Sequence, residues 1–192
     1  MEIYYMVVFF ILGMVLGSFY NVVGYRLPKG ESIVYPASHC PKCQHKLKPL
    51  ELIPIFSYLI QKGKCRNCHE HISCFYPIFE FLGGLLFLLA YLSFGLSLEL
   101  IIALTFISMV LIVIVSDLHY LIIPDSVIII TGVLLLIEIF LIKGPSEALS
   151  AIFNGLIAFI IMFLIKKLGD FLFKRESMGG GDIKLMFIFG LM

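Results

Sequence analysis

Apolar residues in this chain come in long, nearly unbroken runs. Ile3 to Tyr25 holds only Ser18 and Asn21 as clearly polar side chains. Four further runs cover roughly Pro77–Phe94, Leu98–Ser116, Ser126–Ile142 and Ala148–Ile165. A membrane-spanning helix needs about 20 such residues, so five crossings are predicted. A sixth run, Ile183 to Met192, is about half that length, so it is expected to be the start of an incomplete span. The first run is not a cleaved signal peptide, because Glu2 stands where a basic region belongs and the run is too long. Gly13 and Gly17 make a GxxxG pair, with Gly24 seven residues on, which predicts close helix packing.

Composition agrees. Of the 192 residues, 60% are hydrophobic and 14% charged, and the mean hydropathy is +1.05. A soluble domain would be about a quarter charged. The net charge of +1 says little, but its distribution says more. Arg26 to Tyr76, the one long polar stretch, carries eight basic residues against Glu31, Glu51 and Glu70. Basic loops stay in the cytoplasm. With that loop inside, the alternation of spans puts the 166–184 loop inside as well. Of the 14 Lys and Arg residues, only Lys143 then falls outside, and so does the N-terminus. The expected fold is an all-α polytopic membrane protein with five complete transmembrane helices, the start of a sixth and a small cytoplasmic zinc-ribbon-like loop. Its parts are a first helix at 1–25, a four-cysteine loop domain at 26–76 and a transmembrane domain at 77–192.

The loop brings in the first candidate chemistry. Cys40-Pro41-Lys42-Cys43 and Cys65-Arg66-Asn67-Cys68 are two CxxC pairs. Four thiolates close a tetrahedral zinc shell with no open position, which makes the site structural. His39, His45, His69 and His71 stand nearby as alternative ligands, and Cys74 has no partner. Reduced thiols also agree with a cytoplasmic loop.

The second candidate chemistry lies at helix ends. Asp117 closes the third span, and Asp182 opens the sixth after Gly179-Gly180-Gly181. By the predicted topology both lie at the cytoplasmic face. Glycines leave room for an extended backbone beside Asp182. Carboxylates at a membrane boundary are costly, so their default reading is functional. Two of them around one water suit an aspartyl protease: one takes a proton from water while the other polarises the scissile carbonyl. Asp125, after Pro124, reads as the N-cap of the fourth span. Glu80 reads as snorkelling or as a site residue, Glu138 as reaching the outer surface, and Asn21 as an interhelical hydrogen bonder.

These residues resemble the type IV prepilin peptidases, the GxGD-type membrane aspartyl proteases of bacteria. The likeness runs through Gly17-Ser18-Phe19-Tyr20-Asn21-Val22-Val23-Gly24-Tyr25-Arg26-Leu27-Pro28, both CxxC pairs, Glu51-Leu52-Ile53-Pro54, Tyr76-Pro77 with Glu80, Asp117-Leu118 before Ile123-Pro124-Asp125, and Gly179 to Lys184. It implies cleavage of basic leaders from prepilins or pseudopilins at the cytoplasmic face of the bacterial plasma (inner) membrane. It also implies N-methylation of the new terminus with S-adenosylmethionine. The matching catalytic residues are Asp117 and Asp182. Glu51, Glu80, Gly179, Gly181 and Lys184 become candidates for substrate binding or methyl transfer. Expected partners are pilin precursors and membrane lipid, without nucleic acid. Two alternatives compete. One is a catalytically inactive, truncated, membrane-anchored zinc-ribbon binding module. The other is a presenilin-like protease, disfavoured because Ser116 stands before Asp117 and the loop is cysteine-rich.

Overall fold

The computed structural model describes residues 2–192, and among them it is all-helical. Five helices are long and apolar enough to cross a membrane. They are α1 (Glu2–Arg26), α3 (Phe75–Phe94), α4 (Leu98–Tyr120), α5 (Asp125–Lys143) and α6 (Pro145–Phe173). A short α2 (Phe56–Ile60) lies in the polar loop, and α7 (Gly180–Leu191) ends the chain.

Within lipid, helices gain nothing from hiding apolar surface and associate through close packing and polar contacts. Glycine provides that closeness between α1 and α3. A methyl group built on Gly83 would lie 2.7 Å from the Gly13 carbonyl oxygen, and one built on Gly17 would lie 3.3 Å from Glu80 Cα. Gly24 faces a different partner, since its added methyl would sit 2.6 Å from Val115 Cβ on α4. Across the same α1–α4 seam, Tyr20 donates to Ser108 Oγ at 2.6 Å, and Ser108 donates onward to Leu104 O. A second glycine seam joins α6 to α7, where Gly190 backs onto Gly155.

α4 is the central helix. Its Leu111 and Val115 pack with Tyr20, Phe79 and Phe87 of α1 and α3. Its Met109 and Val113 pack with Val127 and Leu135 of α5, Ala151 of α6 and Ile188 of α7. The outer faces of α5 and α6 stay apolar and exposed, as lipid-facing helices require.

Several expectations need correction. α6 does not end near Ile165 but continues to Phe173. At 1.5 Å per residue its 29 residues exceed the ~30 Å hydrocarbon core, so its last turns run on beyond the apolar layer. Asn21 is buried, yet neither polar atom of its side chain has a protein partner. Glu138 does not reach for the outer surface. It turns toward α4 and accepts from Thr105 Oγ1 at 2.8 Å.

The α1–α3 seam leaves no room for a side chain. Gly83→Leu should cost about 1–3 kcal/mol of stability by overpacking. Thermal unfolding of the detergent-solubilised protein would read this. An unchanged midpoint would mean the two helices do not approach so closely.

Candidate functional site

The polar loop starts and ends at neighbouring points, because α1 delivers it and α3 receives it. Tyr25 and Tyr76 stack there with ring centroids 5.8 Å apart. Inside the loop the two CxxC segments form equivalent turns. The Cys40 N–H donates to His45 O, and the Gln44 N–H donates to Cys40 O. The Cys65 N–H donates to Glu70 O, and the His69 N–H donates to Cys65 O. Gln44 and His69 occupy the same left-handed conformation, with φ of 59° and 57°. The sequence shows no internal repeat, but this backbone is used twice.

The two turns bring four sulfurs together, all within 4.8 Å of one another. Cys40 and Cys68 Sγ are 3.8 Å apart, and Cys43 and Cys65 Sγ are 3.9 Å apart. A tetrahedral zinc with Zn–S bonds of ~2.3 Å requires sulfurs about 3.8 Å apart. The donor set therefore fits a closed, structural zinc site. The surroundings favour thiolate at Cys43 and Cys65, while burial and the neighbouring sulfurs push Cys68 up to about 12. Hydrogen bonds from the Asn67 side chain and the His45 backbone pull the Cys43 pKa down to about 6. Backbone N–H groups of Cys68 and Asn67 lower that of Cys65. Among the described residues no histidine joins the cluster, and Cys74 lies outside it, exposed.

Glu51 braces this centre from below. Its side chain is buried and accepts the Lys48 N–H at 2.8 Å, which holds its carboxyl below the usual range. His45 of the first turn lies 3.3 Å from Oε2, and Arg66 of the second lies 3.7 Å from Oε1. Glu80 ties the loop to the membrane helices. It does not snorkel; it is buried on α3 and accepts the Ile55 N–H at 2.7 Å. Ile55 has φ 62°, a strained conformation for a β-branched residue.

The two candidate aspartates lie at the face that carries the loop. Asp117 sits in the last turn of α4 and is exposed; Asp182 sits in the first turn of α7 and is half-buried. Among the described residues neither carboxylate has a side-chain hydrogen bond or ion pair, and nothing links the two directly. Their helices are linked. Ser116, fully buried, donates to Ile122 O and bends the chain back onto α4. Ile123 then meets the glycine turn, since a methyl built on Gly181 would lie 2.9 Å from Ile123 Cβ. A methyl on Gly180 would meet nothing within 4 Å, so that side of the turn is open.

A groove of about 330 Å³ between α6 and α7 is lined by Phe163, Lys166, Lys167, Gly180, Ile183 and Lys184. It does not contain either candidate aspartate. At 3.6 residues per turn, the face of α7 holding Gly180, Ile183 and Lys184 lies opposite Asp182.

Three features escaped the sequence reading. Asp125 is not the cap of α5: Pro124 holds that position, without a side-chain cap bond. Asp125 instead accepts from Lys184 Nζ with both oxygens at 2.7 Å. Lys184 is thus held by an acid and not presented free. His119, two residues past Asp117, is packed among Tyr25, Phe75 and Tyr120 and bonds the Tyr25 hydroxyl. The clustering of aromatic residues at the ends of three runs was the available signal.

The molecule is thus a polytopic helical membrane protein that joins a four-thiolate loop to two carboxylates at helix ends. Residues 11–94 match the bacterial peptidase A24 N-terminal domain, and residues 104–192 match the type IV leader peptidase family. The chain belongs to that family. It is 39% identical to the prepilin leader peptidase/N-methyltransferase of Bacillus subtilis (strain 168) over 185 residues, covering 96% of this chain and 72% of the relative. A protein of the same name from Myxococcus xanthus (strain DK1622) is 36% identical over 181 residues, covering 94% of this chain and 54% of the relative. One from Vibrio cholerae serotype O1 is 35% identical over 207 residues, covering 100% of this chain and 79% of the relative. No solved structure matches the chain.

Metal should hold the loop together. The purified protein is expected to carry about one zinc per chain, and Cys40→Ser with Cys43→Ser should release it. Elemental analysis with limited proteolysis of the loop checks this. A metal-free protein whose loop resists protease as the wild type does would refute it.

Proposed function

We propose that this chain is a membrane aspartyl endopeptidase that cleaves the leaders of prepilins or pseudopilins, with Asp117 and Asp182 as its catalytic pair. The observation that carries the reading is the placement of both carboxylates, free of other partners, at one face of the helix bundle. In the reacting pair, the ionised carboxylate takes a proton from water as the water oxygen attacks the scissile carbonyl carbon. The protonated carboxylate donates to the carbonyl oxygen. As the tetrahedral intermediate collapses, the C–N bond breaks and the departing nitrogen takes up a proton.

The reading extends to the surroundings. The excess of Lys and Arg on the loop face supports a cytoplasmic position for the loop and the aspartates, in a bacterial plasma (inner) membrane. The four-cysteine loop is proposed to hold a structural zinc, which would order it without taking part in peptide cleavage. The names of the relatives support a second activity, N-methylation of the new terminus, with S-adenosylmethionine as the methyl donor that the family resemblance implies. Glu51 and Glu80 serve it indirectly here, by bracing and anchoring the loop. A non-catalytic, membrane-anchored module is not favoured, because both aspartates lie within the family's matched region.

Asp117→Asn and Asp182→Asn should each lower leader cleavage by about 10²–10⁴-fold, the contribution of a positioned acid or base. The variants should accumulate in the membrane as the wild type does. Cleavage of a prepilin in membranes, read by its mobility, checks this; wild-type rates in either variant would remove that residue from the mechanism. Zinc loss through the cysteine changes should reduce N-methylation more than cleavage, and equal losses would end that division of labour.

A further inference from the structure

Lys184 stands two residues after Asp182, and Asp125 opens α5. The ammonium of Lys184 donates to both oxygens of the Asp125 carboxylate at 2.7 Å. The two side chains are 48% and 58% exposed, so the contact adds little to the stability of the fold. Its importance lies in what it joins. Beside it, Gly181 closes on Ile123, the residue that precedes Pro124 at the cap of α5. The two contacts together set the depth and rotation of the start of α7 against the α4–α5 connection. That connection begins at Leu121, one helical turn beyond Asp117, and the Leu121 N–H is bonded to Asp117 O at 2.9 Å. One end of the clamp is therefore continuous with the helix of the first aspartate, and the other with the helix of the second.

The direction of the clamp follows from helix geometry. At about 100° per residue, Lys184 and Asp182 point to nearly opposite sides of α7. With Lys184 held on Asp125, Asp182 is turned away from the start of α5. Asp182 Oδ2 then lies over its own glycine turn, 3.3 Å from where a methyl on Gly179 would be.

We propose that the Asp125–Lys184 ion pair is a latch that positions Asp182 for catalysis, making both residues positioning residues and neither a substrate contact. The proposal rests on the protease reading above. It assigns Asp125 a role in the reaction through Asp182 and removes Lys184 from the substrate-binding candidates.

The test uses the full chain in membranes with a purified prepilin. Lys184→Met and Asp125→Asn should each lower kcat by about threefold, the shift in the positioned population that an exposed ion pair supports, while KM changes little. The double variant should be no slower than either single one, because both changes remove the same bond. Lys184→Arg keeps the charge and can grip a carboxylate with two N–H groups, so it should keep the wild-type kcat. Losses that multiply in the double variant, or a raised KM with kcat kept, would assign Lys184 to the substrate and overturn the latch. Amide hydrogen exchange reads the latch without any substrate. Lys184→Met should speed exchange across Gly180–Leu185 by about threefold, the factor an exposed pair supports, and leave the middle of α6 unchanged. Unchanged exchange across Gly180–Leu185 would overturn the latch whether or not the chain cleaves prepilin. A wild-type chain that leaves prepilin uncut, while exchange responds as described, would sink the protease reading and leave the latch standing.

Discussion

The approach of α1 to α3 is the constraint on which the rest depends. In lipid no solvent drives helices together, so their spacing is decided by what lies between them. At Gly13, Gly17 and Gly83 backbone lies directly against backbone. That contact does more than build half of the bundle. It brings Arg26 and Phe75, the two ends of a long polar excursion, to one place on one face. The excursion is then a closed loop before any metal binds. A metal at the four sulfurs would only have to join two turns within it, and Glu51 already reaches both through His45 and Arg66.

The second half is organised around α4. That helix belongs to every core cluster, and its last turn carries Asp117. Burial of Ser116 and its bond to Ile122 fold the chain back sharply after the aspartate, which delivers Ile123 to the glycine turn before Asp182. The glycine at Gly181 is therefore explained by its neighbour: a side chain there would strike Ile123. The opening at Gly180 is the complementary fact, a place in the same turn where nothing of this chain stands close.

Much of this was legible in the chain itself. Membrane helices announce themselves by length and apolarity, and CxxC spacing states its own chemistry. The aspartates were legible because a carboxylate has few inexpensive reasons to sit where an apolar run begins or ends. What escaped was mostly the choice of partner. Asp125 has the sequence neighbours of a cap, but its carboxylate is taken by a lysine far along the chain. Glu138 could have reached solvent but for the Thr105 hydroxyl on a neighbouring helix. Asn21 has the chemistry of a hydrogen bonder, yet no group of a neighbouring helix reaches its amide. The end of α6 escaped for a different reason. Lys166, Lys167 and Asp170 look like a loop by polarity, yet none of them breaks a helix, so the helix continues out of the apolar layer.

Glu80 gives the molecule a mechanical property. It is rooted in a membrane helix, and its carboxylate ends on the backbone of the loop at Ile55, in a strained conformation that a free loop would relax. The loop domain is therefore pinned at an interior point as well as tethered at its two ends. A body held at three points swings and twists less freely than one held at two. A small turn of α3 about its own axis would be carried directly into the loop as torque, and a load on the loop would be felt in the membrane helices. The polar part of this protein is coupled to the membrane bundle at three points, on the face where the two aspartates lie.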